Sequence, residues 1–357
     1  MFQFLIIVRP LGLLYGSSGA FLSPENLVGR SGSKFPPDAA TLSGLFLSTN
    51  LEKPFTDHQK LKMNLTVAGA FWARDEDVSD GDFYVPIPRS LIIDETKVDQ
   101  WEIRAGKWHR SQADEEINAT YSWQKISSWS KRTDLIRKKG VSKVPWMFVP
   151  ILHPTLDVEQ RHVRMPKGDS DRGSLFLENA VQMEEGSCLV YLSTHPIPNG
   201  WYRFGGENHL VEIIAQPIEQ DVLDLLNQPI GRQFALICPA VWGTNNLSRR
   251  YPTALSFSNK RPEMLTDRPI PFRPRTVKRQ PQQRTNGLAI GRYAVPAGTV
   301  YVLKHPLEER HNTWWKFPSE WFPEGENNKP IDQRPLPLKH LGCGLCLPIE
   351  IKESGDV

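Results

Sequence analysis

The chain has 357 residues, a hydrophobic content of 39% and 11 tryptophans, values that are typical of a globular protein and exclude a disordered chain. Its length suggests about two domains, and its 30 prolines and 25 glycines predict many short elements joined by long connections. The net charge of +3 excludes a polycation over the whole chain, and no stretch approaches the ~20 apolar residues of a membrane span.

The first half of the chain predicts a mixture of short strands and helices. The apolar run 2–8 predicts a buried first strand, because it is too short and lacks the basic lead of a signal peptide. A Gly/Ser-rich stretch follows, and Asp38 is the expected N-cap of a helix over residues 39–47. The other predicted elements are an extended segment at 83–88, a helix at 130–139 that ends at Gly140, and strands at 186–192 and 209–214.

A second half begins near Gln216. Apolar side chains from Ile218 to Leu226 recur at helical spacing, and Pro229 ends that run. Strands are predicted at 234–237, 299–304 and 345–351, an aromatic patch at 314–322, and a long basic loop at 249–286. Strand–helix–strand order recurs in both halves without long regular alternation, which favours an α+β fold with domains 1–215 and 216–357.

A pair of glycines lies between aromatic residues and an apolar run. Gly205 and Gly206 precede the predicted strand at 209–214, and glycine lets the backbone turn tightly or lie against a phosphate. Arg203 could neutralise an anion there, and Trp201 and Tyr202 offer stacking faces. The alternative is a plain turn that leads into a strand.

Positive charge is concentrated in one stretch. Residues 243–292, the basic strip, carry eleven Lys or Arg and two acids, a balance of +9 that leaves −6 for the rest of the chain. Such a strip predicts a localised anionic partner, because arginine forks match phosphate oxygens; the alternative is a solvated loop. The candidate phosphate ligands are Arg249, Arg250, Arg268, Arg273, Arg275, Lys278, Arg279 and Arg284.

Glycine and cysteine are close together near the end of the sequence. Gly342 and Gly344 precede a predicted strand, and their missing side chains could admit a nucleotide backbone. His340, Cys343 and Cys346 have the spacing of metal ligands, but a closed zinc site needs four ligands and no second pair exists. We therefore expect buried thiols and no metal, and four cysteines, too few for a disulfide scaffold, favour a reducing compartment, the cytoplasm.

The sequence contains no recognised catalytic or cofactor-binding motif. There is no nucleophile elbow, no His-Glu-x-x-His pair and no phosphate loop. Surface or capping roles are expected for His58, His109, His153, His162 and His195. The tryptophans are expected to anchor the core, because their large apolar area stabilises packing.

Several segments, in this order, resemble one family. Phe-Pro-Pro at 35–37 with Thr-Leu-Ser-Gly at 41–44 resembles the opening strand, loop and helix of the CRISPR-associated RAMP proteins. The third subunit of the Cmr (type III-B) module, or a close relative in a variant type III module, is similar over nearly the full length. The matching segments are FYVPIPRSLII at 83–93, SLFLENAVQMEEGSCLVYL at 174–192, FGGENHLVEI at 204–213, RYAVPAGTVY at 292–301 and Gly-x-Gly at 342–344.

The resemblance implies two ferredoxin-like (RRM-like) domains with long loop insertions. It implies a non-catalytic, antiviral subunit near the foot of a type III CRISPR effector, without a cofactor and without a membrane. That subunit would grip the 5′ handle of the CRISPR RNA, dock the large polymerase-like subunit, contact the backbone RAMP subunits and meet target RNA indirectly. We expect Arg30, Ser31 and Lys34 to contact the handle, Arg203, Gly205 and Gly206 to shape a second contact, and the basic strip to steer RNA or touch a neighbouring subunit.

Two alternatives stay open at this stage. One is a metal-independent endoribonuclease that processes the CRISPR precursor RNA, as some RAMP relatives do; His162, near Arg161 and Arg164, is its candidate base. The other is a purely architectural subunit whose basic residues face acidic partner surfaces instead of RNA.

Overall fold

The α+β class is confirmed by a computed structural model, in which mostly antiparallel strands combine with short helices. The structure describes residues 1–15, 35–112, 117–154, 163, 175–205, 209–244, 247–252, 261–274, 289–323 and 337–354. The α-helices of this part are α1 (Ala39–Glu52), α2 (His58–Asn64), α3 (Asp75–Ser79), α4 (Thr133–Lys139) and α5 (Gln220–Asn227), and short 3-10 helices lie at Ile126–Ser128, Glu309–His311, Trp314–Lys316, Ser319–Trp321 and Leu338–Leu341. None of them is long and apolar enough to cross a membrane.

The strands are numbered in chain order. Those of the first half are β1 (Phe4–Pro10), β2 (Leu14–Tyr15), β3 (Val67–Arg74), β4 (Tyr84–Pro86), β5 (Leu91–Ile93), β6 (Val98–Arg104), β7 (Lys107–Arg110), β8 (Trp123–Lys125), β9 (Val141–Ser142), β10 (Trp146–Pro154), β11 (Leu175–Met183), β12 (Ser187–Ser193), β13 (Gly200–Phe204) and β14 (His209–Pro217). Those of the second half are β15 (Gln233–Leu236), β16 (Trp242–Gly243), β17 (Ser248–Arg249), β18 (Glu263–Leu265), β19 (Ile270–Phe272), β20 (Arg292–Ala294), β21 (Val300–Val302), β22 (Cys346–Pro348) and β23 (Glu353–Ser354).

The main sheet has eight strands in the order β13-β14-β1-β12-β3-β4-β8-β9. Strand β1 is buried, as predicted, although it begins two residues later than the apolar run 2–8. Successive strand residues point to opposite faces, and here both faces are apolar: Leu5 and Ile7 belong to one core, Ile6 and Val8 to another. The sheet is therefore covered on both sides.

Helix α1 covers the face of Ile6. Its Leu42 and Phe46 are fully buried in that core, and Tyr191 of β12 donates a hydrogen bond to the carbonyl of Pro37, 2.6 Å away, just before the helix. Asp38 precedes the helix as predicted, but its side chain makes no capping hydrogen bond. The helix continues to Glu52, five residues beyond the predicted end.

A second sheet covers the face of Leu5. Its order is β18-β21-β15-β22, and all of its pairings are antiparallel. Phe234 and Tyr301 stack inside it, and both share one continuous core with Leu5 and Ile7 of the main sheet. The predicted strands at 186–192, 209–214, 234–237, 299–304 and 345–351 are all confirmed, with ends that differ by a few residues.

Two of the resembling sequence segments meet between the sheets. Gly298, with a φ of +82°, accepts a hydrogen bond at its carbonyl from the N–H of Arg89, 2.8 Å away. A Cβ on this glycine would lie 2.8 Å from the carbonyl oxygen of Ile87, so a side chain cannot be fitted without a shift. These segments therefore join the two halves of the chain.

The prediction of an unbroken loop over 249–286 is wrong. It contains β18, which extends the second sheet, and β19, which pairs with β20. Met264 and Ile270 pack against the core, and Phe272 is buried in it. The prolines of this segment do not prevent strand formation, because each of the two strands pairs with its neighbour over only three residues.

The tryptophans and cysteines mostly lie in the core, as predicted. Trp72 stacks on Tyr84 with 4.0 Å between ring centroids, and Trp242 and Trp314 are fully buried. All four cysteines are buried and none of them forms a disulfide, which confirms the predicted buried thiols. Burial raises the pKa of Cys188 to about 12, so the thiol stays neutral and unreactive in the folded chain.

Candidate nucleic-acid interface

The glycine pair of the sequence belongs to a β-hairpin at one edge of the main sheet. Strands β13 and β14 pair so that Trp201 faces Glu212, Arg203 faces Leu210 and Phe204 faces His209. Gly205 follows β13 with a φ of +81°, which opens the turn. This conformation fits a turn that leads into a strand, and the RNA contact of Gly205 stays a prediction; Gly206 lies outside the described residues.

The hairpin has one buried and one open face. Tyr202 and Phe204 point toward the core of α1, and the Tyr202 hydroxyl donates to the carbonyl of Pro198 at 2.5 Å. Trp201 and Arg203 point the other way, and Trp201 is 71% exposed. Leu210, which faces Arg203 and is 45% exposed, completes the uncovered surface. We call Trp201, Arg203 and Leu210 the hairpin surface.

Neighbouring charges leave Arg203 available to an anion. The carboxylate beside Trp201 belongs to Glu212, and the guanidinium of Arg9 lies 3.6 Å from it. Arg9 also donates to Asp75 at 2.8 Å; burial alone would lower the Arg9 pKa, but these carboxylates raise it, so Arg9 stays charged. The side chain of Arg203 makes no hydrogen bond or ion pair with any residue in the described ranges.

This arrangement suits a single strand of nucleic acid. An exposed indole face stacks on a base, and stacking contributes about 1–3 kcal/mol per base. An unpaired guanidinium binds a phosphate, and an exposed leucine packs against a ribose. The hairpin surface holds one side chain of each of these three kinds within two paired strands.

The basic strip is described only in part. Arg249 and Arg250 are exposed near the end of β17, and neither side chain forms an ion pair within the described part of the strip. Arg273 donates to the carbonyl of Ala289 at 2.9 Å, so its guanidinium is held against the chain's own backbone. Four other predicted phosphate ligands of the basic strip lie outside the described residues: Arg275, Lys278, Arg279 and Arg284.

Tyr293 extends this second surface and was missed by the sequence analysis. It is 55% exposed on β20, and its N–H donates to the Ser248 hydroxyl at 3.1 Å, which places it beside β17 and Arg249. The aromatic residue in a strongly basic stretch was the available signal. Leu210 was missed too, because the apolar run 209–214 was predicted only as a strand, and alternate residues of a strand face opposite sides.

The two glycines near the end of the sequence do not offer room to a nucleotide. A Cβ on Gly342 would lie 2.6 Å from the Cα of Ala68, and one on Gly344 would lie 2.5 Å from the ring of Trp242. Both glycines are buried, with φ values of +70° and +73°. The space beside them is filled by the chain itself, so the prediction that they admit RNA is corrected: they close the core between the sheets.

The remaining candidates are residues outside the described ranges and several histidines. Arg30, Ser31 and Lys34, and the candidate base His162 with Arg161 and Arg164, all lie outside the described residues. His109 is exposed, as expected. His58 is the first residue of α2, and His195 is half-buried with Nδ1 2.9 Å from the Thr194 hydroxyl, where burial lowers its pKa. No group of three or more possible metal ligands occurs in the described ranges.

Comparison with known proteins gives structural neighbours only. No protein-family model and no curated protein matches the chain. A chain of the type III-B Cmr-beta complex bound to cognate target RNA and AMPPnP is similar at 11% identity and a TM-score of 0.48, over 84% of this chain and 86% of that one. A chain of the Csm1-Csm4 cassette with AMPPNP is similar at 12% identity and 0.41, over 99% of both. A chain of the Csm3-Csm4 subcomplex of the type III-A CRISPR-Cas interference complex is similar at 8% identity and 0.38, over 86% and 95%.

Proposed function

We propose that this chain is a non-catalytic RNA-binding subunit of a type III CRISPR effector ribonucleoprotein. In this role it grips the 5′ handle of the CRISPR RNA, docks the large polymerase-like subunit and contacts the backbone RAMP subunits. The observation that carries the proposal is the hairpin surface, where a 71% exposed tryptophan lies beside an arginine with no partner in the described ranges. The ordered sequence segments that resemble the third Cmr subunit support the same assignment.

The strand order supports two ferredoxin-like domains. In the main sheet, β14, β1, β12 and β3 lie side by side, and in the second sheet β22, β15, β21 and β18 do. Each set places its fourth strand beside the first, then the third and the second, which is the antiparallel arrangement of a split β-α-β unit. We propose residues 1–215 and 216–357 as these domains; the division falls near the end of β14.

The proposed RNA contacts follow from the two exposed surfaces. The hairpin surface binds the handle by stacking and by one phosphate contact, with Gly205 and Gly206 shaping the turn. Arg249 and Arg250, together with Tyr293, guide the strand farther along, and the rest of the basic strip extends that path. Arg30, Ser31 and Lys34 remain proposed handle contacts on the sequence evidence. Gly342 and Gly344 are not included.

A holding function fits this chemistry better than a reaction does. Holding a fixed RNA end requires phosphate donors and stacking faces, which the two surfaces provide. It requires no general acid or base.

The proposed function predicts RNA binding that weakens strongly with salt. With about four to six phosphates neutralised, a plot of log K against log salt concentration is expected to have a slope of about −3 to −4 for single-stranded RNA. Fluorescence anisotropy of the full chain with a labelled handle-containing RNA, across a salt series, measures that slope. An affinity that does not change between low and high salt would reject the proposal.

A further inference from the structure

Helix α4 exposes a ring of positive charge around one leucine. Leu135 is 50% exposed, whereas the next residue, Ile136, is buried against Ile87 and Ile93. Residues three and four positions away lie on the same helix face. Lys138 and Lys139 occupy the positions after Leu135, while Lys131 and Arg132 lie directly before the helix, where the backbone at Arg132 is extended; all four are exposed. We call this the α4 cationic face.

The chain itself does not neutralise this face. Its nearest carboxylate is Asp134, 3.2 Å from the Nε of Arg132, and both side chains are well exposed, so the pair is weak. Lys131, Lys138 and Lys139 make no side-chain hydrogen bond or ion pair with the residues that the structure describes. The four cations of this face and Asp134 leave a net charge of +3, and Arg137 adds a fifth cation to the same seven-residue helix.

Helix stability explains only half of these charges. Cations in the last turn of a helix, such as Lys138 and Lys139, are stabilised by the helix dipole. Lys131 and Arg132 precede the first helical residue, where the same dipole disfavours positive charge. An exposed leucine among them adds nothing to solubility. The ring of charge is therefore better explained by an external anion.

The α4 cationic face lies far from the hairpin surface. After α4 the chain enters β9, which forms one edge of the main sheet, while β13 forms the other. Seven strand spacings of about 4.8 Å separate the two edges, which is about 34 Å across the sheet. The second sheet and α1 cover the two faces between them. An RNA segment would have to span this width to contact both surfaces.

We propose that the α4 cationic face binds the phosphate backbone of a second RNA segment, separate from the segment at the hairpin surface. The proposal rests on the proposed function for the presence of RNA. Lysines act as point charges without base recognition, so this contact reads no sequence. Leu135 packs against ribose between the neutralised phosphates.

The test compares three variants in their binding of a labelled uridine homopolymer of roughly 30 nucleotides, at salt concentrations from about 50 to 300 mM. K131Q/R132Q/K138Q/K139Q is expected to make the log–log salt slope less negative by about 2 to 3, since each lost phosphate contact removes about 0.7. The double variant K138Q/K139Q is expected to remove about half of that. The control K53Q/K60Q/K107Q/K352Q removes four exposed lysines elsewhere and is expected to leave the slope nearly unchanged.

The outcomes separate this inference from the proposed function. If the α4 variants keep the wild-type slope while W201A/R203Q binds more weakly, the inference is overturned and the proposed function stands. If neither the α4 variants nor W201A/R203Q change RNA binding, both the inference and the proposed function fail. An α4 variant that binds RNA normally but is lost from the purified assembly overturns the inference in favour of an acidic protein partner. Because all four substituted side chains are exposed, the thermal melting midpoint is expected to stay unchanged.

Discussion

Substituting Gly342 with alanine is expected to lower the free energy of unfolding by about 3 kcal/mol, a large fraction of the stability of a typical domain. Gly342 has a φ of +70°, a left-handed conformation that costs a residue with a side chain about 1–2 kcal/mol. The new Cβ would also lie 2.6 Å from both the Cα and the Cβ of Ala68 in β3, and forcing extra atoms into a packed core costs about 1–3 kcal/mol.

A matched glycine separates the two causes. Gly106 has almost the same backbone conformation, with a φ of +71°, but nothing lies within 4 Å of its Cβ position. Urea unfolding of Gly106→Ala is therefore expected to show the backbone cost alone, about 1–2 kcal/mol. If Gly342→Ala is no less stable than Gly106→Ala, the packing role assigned to the Gly342 loop is wrong.

Truncation of the hairpin surface is expected to weaken RNA binding in two distinguishable ways. Trp201→Ala removes a stacking face and is expected to raise Kd about tenfold, or about 1.4 kcal/mol, at every salt concentration. Arg203→Gln removes one phosphate contact and is expected to make the log–log salt slope less negative by about 0.7. Anisotropy titrations with a handle-containing RNA at several salt concentrations measure both effects.

Conservative substitutions at the same positions provide the controls. Trp201→Phe keeps an aromatic face and is expected to recover most of the affinity, and Arg203→Lys keeps the charge and therefore the salt slope. Both side chains are exposed, so the thermal melting midpoint is expected to remain that of the wild type. If Trp201→Ala binds RNA with unchanged affinity, the hairpin surface is not an RNA-binding surface.

Local sequence patterns predicted the longer strands and the end of α4, because apolar runs and a helix-ending glycine are features of contiguous residues. The apolar runs at 186–192 and 209–214 became β12 and β14, and Gly140 ends α4 as its position predicted. Strands β18 and β19 were missed, since each has only three residues and neighbouring prolines resemble a loop. Their pairing depends on partners in distant sequence, which a local pattern does not contain.

The candidate site was predicted in part for the same reason. The cluster of Trp201, Arg203 and Gly205 is contiguous in sequence, and it remains together in the hairpin. Gly342 looked equally open in the sequence, but its neighbour Ala68 comes from the opposite end of the chain. The charges of α4 were overlooked because residues 243–292 have the larger local excess, and only the helix geometry shows that Leu135, Lys138 and Lys139 share one face.

The most direct test of the central claim is ultraviolet crosslinking of the native assembly, purified through a tag on this chain, with sequencing of the RNA and mapping of the crosslinked peptides. We expect a small RNA with a constant 5′ end, crosslinked to the peptide that contains Trp201 and Arg203. An assembly without small RNA, or one whose crosslinks lie away from this hairpin, would contradict the central claim.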